Sequence, residues 1–266
     1  MGRIHPGLRA RFQVRLASAL LLAAPAWAAA PSYTAANVVN ASNYAPAPFA
    51  PNSILTLFGT DLAMVPGDGG IAGSGAGVLP IEISGVQVFL DNVPTALFYV
   101  SPGQINFLVP ANQTVGDMKV QVSRQAVLGP AVMVTVVDAS PALFVTAAGL
   151  AIATHADNSL IAPGAPAHPG EIVVLYLTGL GQTDPRLVSG TLPLSAAQIV
   201  HQADLKILLD GAALDPARVI YAGVTPRFAG LYQINFALPG KVGDDPEIRV
   251  SVGAQSSPAG VRLPVR

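Results

Sequence analysis

The chain has 266 residues, of which 51% are hydrophobic and 11% are charged, with a formal net charge of −1. This composition excludes an intrinsically disordered chain, which would be highly charged and poor in Val, Ile and Leu. The 26 Gly and 24 Pro residues interrupt the chain too often for long helices. Many short apolar runs between turn residues instead predict an all-β sandwich or barrel.

The N-terminus has the pattern of a signal peptide. Four arginines within the first fifteen residues precede a short apolar run at residues 16–26, and Ala26-Trp27-Ala28 is a small-x-small cleavage site. We predict that residues 1–30 are a signal peptide and that the mature protein starts near Ala29. It would be secreted to the extracellular space, the cell surface or the periplasm. The alternative is a buried N-terminal helix. No stretch is long and apolar enough to predict a transmembrane segment.

Charge and cysteine content narrow the possible functions. The first 30 residues hold four Arg and no acid, which leaves ten basic and 15 acidic residues in the mature chain. A mildly acidic, sparsely charged protein is a poor ligand for nucleic acid. The absence of cysteine excludes disulfides, zinc-thiolate sites and cysteine nucleophiles, so core burial alone must stabilise the fold.

The first half of the mature chain reads as a series of short strands separated by turns. The runs that predict strands are residues 36–42, 54–59, 86–90, 95–100, 118–122 and 132–137. Residues 63–80 are rich in glycine but lack the Gly-Lys-Ser/Thr of a phosphate loop, so we interpret them as a mobile connection. Asp91-Asn92 predicts a tight turn that returns the chain, because Asn tolerates a positive φ.

One stretch, residues 99–110, occurs twice and organises the sequence. In the first copy, Pro102 and Gly103 predict a type II turn, with Gly103 supplying a positive φ. A strand follows in which Ile, Phe and Val at 105, 107 and 109 alternate with Gln104 and Asn106. The second copy ends Gln233-Ile-Asn235-Phe, so a paired polar Gln-x-Asn recurs in an apolar strand.

The second half repeats the order of the first with an offset that grows only at loops. Four residues in the first half match the second at an offset of 118, namely Asn40, Pro48, Pro51 and Phe58 with Asn158, Pro166, Pro169 and Tyr176. The offset reaches 129 at Gln104 and Gln233, and the largest insertion is residues 225–230. We predict two tandem immunoglobulin-like β-sandwiches of about seven strands each. They would cover residues 33–139 and 140–266, joined by a short, fixed linker.

Several of these segments together resemble a known family. They are residues 39–42, 51–59, 98–110, 175–181 and 221–239, which cover most of the mature chain. They are similar to the Solibacter-type C-terminal domain family of extracellular acidobacterial domains, and residues 51–59 also resemble the IPT/TIG subgroup of immunoglobulin-like domains. The resemblance implies a secreted interaction or scaffold module, and it brings no catalytic residues. Here the pair of domains follows the signal peptide directly, whereas members of the family often follow other modules.

The doubled Gln-x-Asn is the most prominent polar feature. We interpret Gln104, Asn106, Gln233 and Asn235 as structural residues whose amides satisfy unpaired backbone groups of a neighbouring loop. The alternative is a polar patch that binds a ligand.

No pattern in the mature chain predicts a catalytic or metal site. His155, Asp157 and Ser159 are neighbours in sequence, but a catalytic triad is defined by geometry, and there is no Gly-x-Ser-x-Gly elbow. His168 and His201 lack metal-ligand spacing, and the acidic residues lack the Asp-x-Asp-x-Asp repeat of a calcium loop. We therefore predict no enzyme activity, no cofactor and no metal site, and the acidic turns leave bound calcium as an alternative.

The remaining candidate is a contact loop in the insertion. Arg227 and Phe228 combine a cation with an aromatic ring, as contact residues often do, whereas in the alternative Phe228 folds back on the sandwich edge. The predicted function is an exported adhesion or scaffold module whose partner is an extracellular protein or a polysaccharide. A carbohydrate-binding accessory module is the first alternative, and a secreted hydrolase is the second.

Overall fold

A computed structural model describes residues 1–2, 29–70 and 77–266. Antiparallel β-strands are the main regular structure of the described chain, which confirms the all-β prediction. The predicted signal peptide falls mainly on residues 3–28, and part of the glycine-rich stretch on residues 71–76; both lie outside the described residues.

The described part of the first half contains ten strands and one short 3₁₀ helix, Ala35–Asn37. The strands are β1 (Val38–Asn40), β2 (Ile54–Phe58), β3 (Gly67–Asp68), β4 (Val86–Leu90), β5 (Val93–Pro94), β6 (Leu97–Val100), β7 (Gln104–Leu108), β8 (Gly116–Arg124), β9 (Val127–Leu128) and β10 (Val132–Val136). One sheet has the order β1-β2-β7-β6-β3, and the other β10-β8-β4-β5, with β9 paired to β8.

The second half contains eleven strands and two 3₁₀ helices, Gln202–Asp204 and Pro216–Arg218. The strands are β11 (Ala142–Leu143), β12 (Ala153–His155), β13 (Ile172–Thr178), β14 (Thr183–Asp184), β15 (Gln198–Ile199), β16 (Leu205–Leu209), β17 (Ala212–Ala213), β18 (Val219–Val224), β19 (Tyr232–Ala237), β20 (Ile248–Val252) and β21 (Gln255–Ser256). One sheet runs β11-β13-β19-β18-β15-β14, with β12 paired to β13, and the other β17-β16-β20-β21.

Alternating burial makes each half a sandwich. Ile105 and Phe107 of β7 are fully buried, whereas Gln104 and Asn106 between them are partly exposed. The buried residues of both sheets in the first half form one apolar cluster, which lies within residues 33–136, and those of the second half form another within residues 139–265. Facing apolar sheets are the packing that this alternation dictates, since successive side chains point to opposite faces of a strand.

The two halves share one hydrogen-bonding frame. In the first half, Leu57 pairs with Ile105 across β2 and β7, and in the second Leu175 pairs with Ile234 across β13 and β19. All five pairs of the first ladder recur, shifted by 118 residues on one strand and 129 on the other. Ile105 and Ile234 are both fully buried, so they occupy equivalent interior positions.

The correspondence extends to irregular features. The β6–β7 ladder skips a residue between Leu97 and Tyr99, and the β18–β19 ladder does so between Val219 and Tyr221, each 122 residues further on. The bridge between Phe49 and Val136 recurs between Ala167 and Val265, both parallel. Because a bulge depends on the local backbone, its repetition extends the structural correspondence between the halves beyond the regular ladders.

Three predictions about strands were wrong. The strand at 97–100 does not return beside β4; it crosses to the opposite sheet and pairs with β7, because β4 is paired with β8 and with the short β5. Gly67 and Asp68 are not a loose connection but form β3, which pairs with β6. The residue equivalent to Asn40 is His155 rather than Asn158, since the two pair with Leu55 and Val173, which are 118 residues apart.

Candidate functional site

The two halves meet at a junction built around a buried tyrosine. Tyr232 opens β19 and is fully buried, and its hydroxyl accepts a hydrogen bond from Asn52 Nδ2 of the first half at 3.1 Å. The same hydroxyl donates to the carbonyl oxygen of Gly181. Burial raises the pKa of the Tyr232 phenol well above its usual range, so the hydroxyl keeps the proton that this geometry needs.

The inserted turn, residues 225–230, packs directly on the first half. Ala229 joins a small apolar cluster with Phe98 and Leu108 of the first half. Gly230 has a φ of +73°, and a Cβ at this position would lie 2.5 Å from Ile54 Cγ1. Only glycine therefore allows both the turn conformation and this close approach.

A threonine hydroxyl connects the turn to the first half. Thr178 Oγ1 donates to the Gly230 carbonyl oxygen at 2.8 Å and accepts from the Ile54 backbone N–H at 3.2 Å. The hydroxyl thus satisfies polar groups from both halves at the buried contact, each of which would otherwise lose a hydrogen bond.

Two further contacts fix the halves relative to each other. Leu79 N–H donates to the Gly190 carbonyl and Leu192 N–H to the Gly77 carbonyl, both at 2.8 Å, so the two segments form a short antiparallel bridge. In the connection between the halves, Ser140 Oγ donates to the Pro48 carbonyl at 2.7 Å. The junction is therefore held at several separate places.

A cleft of about 310 Å³ lies where the inserted turn leaves the first half. The first half contributes Ala41, Ile54, Phe98 and Asn106 to its walls, and the second Phe144, Phe228, Ala229 and Leu231. Three phenylalanine rings and one amide make it an apolar cleft with a single polar group from a strand, and we call it the junction cleft.

Hydrogen bonds fix the orientation of the Asn106 amide in the junction cleft. Its Oδ1 accepts from Thr56 Oγ1 and from Gln104 Nε2, both at 2.9 Å. Within the described residues no group accepts a hydrogen bond from its Nδ2, which leaves amide N–H donors for a ligand. These contacts correct the predicted role, because the amides of Gln104 and Asn106 bond to side chains of their own sheet and not to loop backbone.

The second Gln-x-Asn has a simpler arrangement. Gln233 Nε2 donates to Asn235 Oδ1 at 3.0 Å. The position of Thr56 is taken by Val174, which pairs with Asn235 in the ladder and has no hydroxyl to donate. The motif is thus a pair of bonded side chains in both halves, with a third member only in the first.

The turn before the first motif differs from the prediction. Pro102 and Gly103 lie between Ser101 and Gln104, whose backbones bond to each other, but Gly103 does not have a positive φ. The turn is therefore not type II. Ser101 Oγ accepts from Gln104 N–H at 3.0 Å and so stabilises the turn without a left-handed residue.

Arg227 and Phe228 lie at the exposed tip of the inserted turn, while Ala229 and Gly230 are buried beneath them. Phe228 is 37% exposed and its ring lines the junction cleft. The ring folds towards the first half but keeps an accessible face, and its role as a contact residue stays a prediction.

Sequence reasoning missed the contact between Asn52 and Tyr232. The offset alignment held a signal, since Tyr232 stands where the first half has Gly103, and Asn52 where the second half has Gly170. Paired differences of this kind mark places where the copies have acquired different contacts.

Among the described residues, no serine hydroxyl bonds to a histidine, so His155, Glu171 and Ser159 do not form a catalytic triad. His155 Nδ1 contacts Glu171 Oε1, and its Nε2 lies 3.2 Å from the Ala165 carbonyl oxygen. The hydrogen bond to Glu171 raises the pKa of His155. Burial raises the pKa of Glu171, but hydrogen bonds from His155 and the His168 N–H outweigh this and lower it.

Ser159 is bonded elsewhere. Its hydroxyl donates to Asp157 Oδ1 at 2.6 Å, and this bond lowers the pKa of Asp157. Among residues 29–70 and 77–266, no three His, Cys, Asp or Glu side chains group closely enough to hold a metal ion. None of the helices in the described part has the length and apolar character needed to cross a membrane.

No protein-family model and no curated protein matches the sequence. Among solved structures, the chain is similar to a surface glycan-binding protein of Prevotella bryantii, with 12% identity over 88% of this chain and 42% of that one and a TM-score of 0.27. It is also similar to domains 5–6 of the S-layer protein SbsC, with 14% identity, coverage of 88% and 98%, and a TM-score of 0.27. A third similar structure is the tandem Ig repeats of Dlar, with 10% identity over 90% of this chain and 95% of that one and a TM-score of 0.20. The chain spans less than half of the glycan-binding protein.

Proposed function

We propose that the chain is an exported, non-enzymatic interaction or structural module made of two immunoglobulin-like sandwiches, residues 33–139 and 140–266. The observation that carries this proposal is the junction, where the inserted turn of the second half packs on the first half. The inserted turn packs on the first half and so orders the two sandwiches into a single support for a contact surface. The resemblance to Solibacter-type domains agrees with such a role.

The contact surface of this module is the tip of the inserted turn. Arg227 and Phe228 are exposed, yet they sit on a base that is buried and hydrogen-bonded. A rigid base lowers the entropy lost when a partner binds, and Arg and aromatic residues are enriched among energetically important contacts. The partner is an extracellular protein or a polysaccharide.

Binding of the mature protein, residues 29–266, to native surface proteins and polysaccharides tests this function. We expect saturable binding that weakens strongly in the double variant Arg227→Ala, Phe228→Ala and persists in Met133→Ala, a matched control at an exposed position of β10. Equal binding by both variants contradicts the assigned surface. Release of new reducing ends or peptide fragments from a bound polymer contradicts the non-enzymatic role.

A carbohydrate-binding accessory module is a second candidate, and the junction cleft favours it. The rings of Phe98, Phe144 and Phe228 offer apolar faces for sugar C–H groups, and Asn106 Nδ2 offers a donor for a hydroxyl oxygen. On a glycan array we expect hits that disappear in Phe228→Ala and in Asn106→Leu. An array with no hits removes this candidate and leaves the protein-binding role intact.

A further inference from the structure

The outer face of the β13–β19–β18 sheet in the second half is an open version of a face that is covered in the first. In the first half, Ile54, Phe98 and Leu108 of the equivalent sheet lie under the inserted turn. Phe98 is 5% exposed and Leu108 is 1% exposed. The turn of the sandwich that follows covers them, together with Leu79 of the first half and Leu192 of the second.

The shared register identifies the matching residues of the second half. Ile54 corresponds to Ile172, Phe98 to Ile220, and Leu108 to Ala237. Ile172 is 40% exposed and Ile220 is 56% exposed, so the apolar character is kept while the cover is lacking. Asn235 lies on this face, at the position that Asn106 holds in the junction cleft.

We propose that this open face docks a further β-sandwich, belonging to another protein chain, through a long turn like residues 225–230. The intramolecular junction is the template for this docking. In it, the small residues Ala229 and Gly230 lie on the apolar residues of the sheet, and the Thr178 hydroxyl bonds to the Gly230 carbonyl and to the Ile54 N–H. Docking would extend the two-sandwich unit end to end, and it would place Asn235 at the wall of a second cleft.

The proposed occupant is not a second copy of this chain. The one long turn of this type within the described residues is already packed on its own first half, where Thr178 and Gly230 hold it. The corresponding turn of the first half, residues 101–104, is too short to reach across. A partner must therefore bring a free turn of its own.

One substitution shapes the expected partner. Asn52, which donates to the buried Tyr232 hydroxyl, is replaced by Gly170 in the open copy. The open face thus lacks the amide that bonds to the tyrosine hydroxyl, so the partner turn needs no tyrosine at that position.

This proposal does not depend on the junction cleft binding a ligand.

A backbone-cyclised peptide with the sequence of residues 222–232 serves as the probe, titrated into the mature protein labelled at the isoleucine δ1 methyl groups. We expect chemical-shift changes at Ile172 and Ile220. We expect none at Ile54, because the inserted turn already covers it. The variant Ile220→Glu should bind the peptide about tenfold more weakly or worse, because a central apolar contact is lost. Met133→Glu, on β10 of the first half, should bind normally.

Several outcomes overturn the proposal. They are unchanged Ile172 and Ile220 methyl signals at saturating peptide, and equal shifts with a peptide that carries Gly230→Val. Concentration-dependent self-association of the mature protein that Ile220→Glu abolishes also overturns it, because the occupant would then be a second copy. Since Ile220 is exposed, Ile220→Glu should keep the wild-type melting temperature, which verifies that the variant is folded.

Discussion

The two halves are built on one frame yet differ where they meet. Their central ladders pair residue for residue and repeat the same bulge. The first half presents Asn52 and a short turn at 101–104, whereas the second presents Tyr232 and a long turn at 225–230. The comparison shows that the strands keep the same pairing in both halves, whereas the turns differ. The long turn of the second half packs on the first half, and the short turn of the first half makes no equivalent contact within the described residues.

The largest expected effect tests whether the cores are equivalent. Phe107 and Phe236 are both fully buried and occupy matching positions of β7 and β19. Phe107→Ala and Phe236→Ala should each lower the free energy of unfolding by about 3–5 kcal/mol, because each leaves a cavity in a packed core. Denaturant titration measures this, and a near-neutral effect of one variant beside a large effect of the other breaks the equivalence.

The junction tyrosine should matter next. Tyr232→Phe removes a donor to Gly181 and an acceptor for Asn52 in a buried place, so we expect a loss of about 1–3 kcal/mol in the free energy of unfolding. The halves should also uncouple, and a calorimetric scan should show two transitions in place of one.

A matched variant sharpens this test. The Tyr33 hydroxyl donates to Pro130 and accepts from Val122, so it makes two hydrogen bonds inside the first half alone. Tyr33→Phe should destabilise the first half without uncoupling it from the second. Equal coupling in both variants would show that Tyr232 does not hold the junction.

The Gln-x-Asn motif should give a smaller, unequal effect. Asn106 Oδ1 accepts two hydrogen bonds and Asn235 Oδ1 accepts one. At about 0.5–1.5 kcal/mol for each bond, Asn106→Ala should cost roughly twice as much as Asn235→Ala. Melting temperatures of the two variants measure the difference, and unchanged values for both would contradict a structural role for the motif.

The smallest effect is a pH dependence confined to the second half. Asn40 in the first half is replaced in the ladder by His155, whose raised pKa reflects its bond to Glu171. The protonated imidazole stabilises the fold fully below its unfolded pKa of 6.5, and this contribution is lost as the pH rises through the higher folded value. The melting temperature should therefore fall by a few degrees over this range.

A substitution isolates that effect. His155→Gln keeps a side chain that can donate a hydrogen bond to Glu171 but cannot titrate, so the slope of melting temperature against pH should flatten. His201→Gln, at a partly exposed position beside Asp204, should keep the wild-type slope. An unchanged slope in His155→Gln would assign the dependence to another group.

The frame could be predicted from sequence because it depends on local alternation. Ile105 and Phe107 alternate with Gln104 and Asn106, and this period of two fixes which side chains are buried. The correspondence between the halves was visible for the same reason, since the strand pattern recurs while loops differ in length. Strand pairing was harder: residues 97–100 look like the return of a hairpin, but long-range pairing places them in the opposite sheet.

The candidate site could be predicted only in part. Arg227 and Phe228 stand out because they lie in an insertion, but the cleft beside them needs Phe98 and Phe144, which are far apart in sequence and look like ordinary core residues. Gly103 suggested a type II turn from its residue type alone. The Ser101 side chain, which holds the turn in another conformation, carries no such signal.

The most direct test of the account is whether the halves move as one body. Backbone N–H residual dipolar couplings of residues 29–266, measured in a weakly aligned sample, report the orientation of the strands in a common frame. We predict that one alignment tensor fits residues 33–139 and 140–266 together, and that Gly230→Asp, which drives a side chain into Ile54, requires two. A wild-type protein that needs two different tensors would contradict the account.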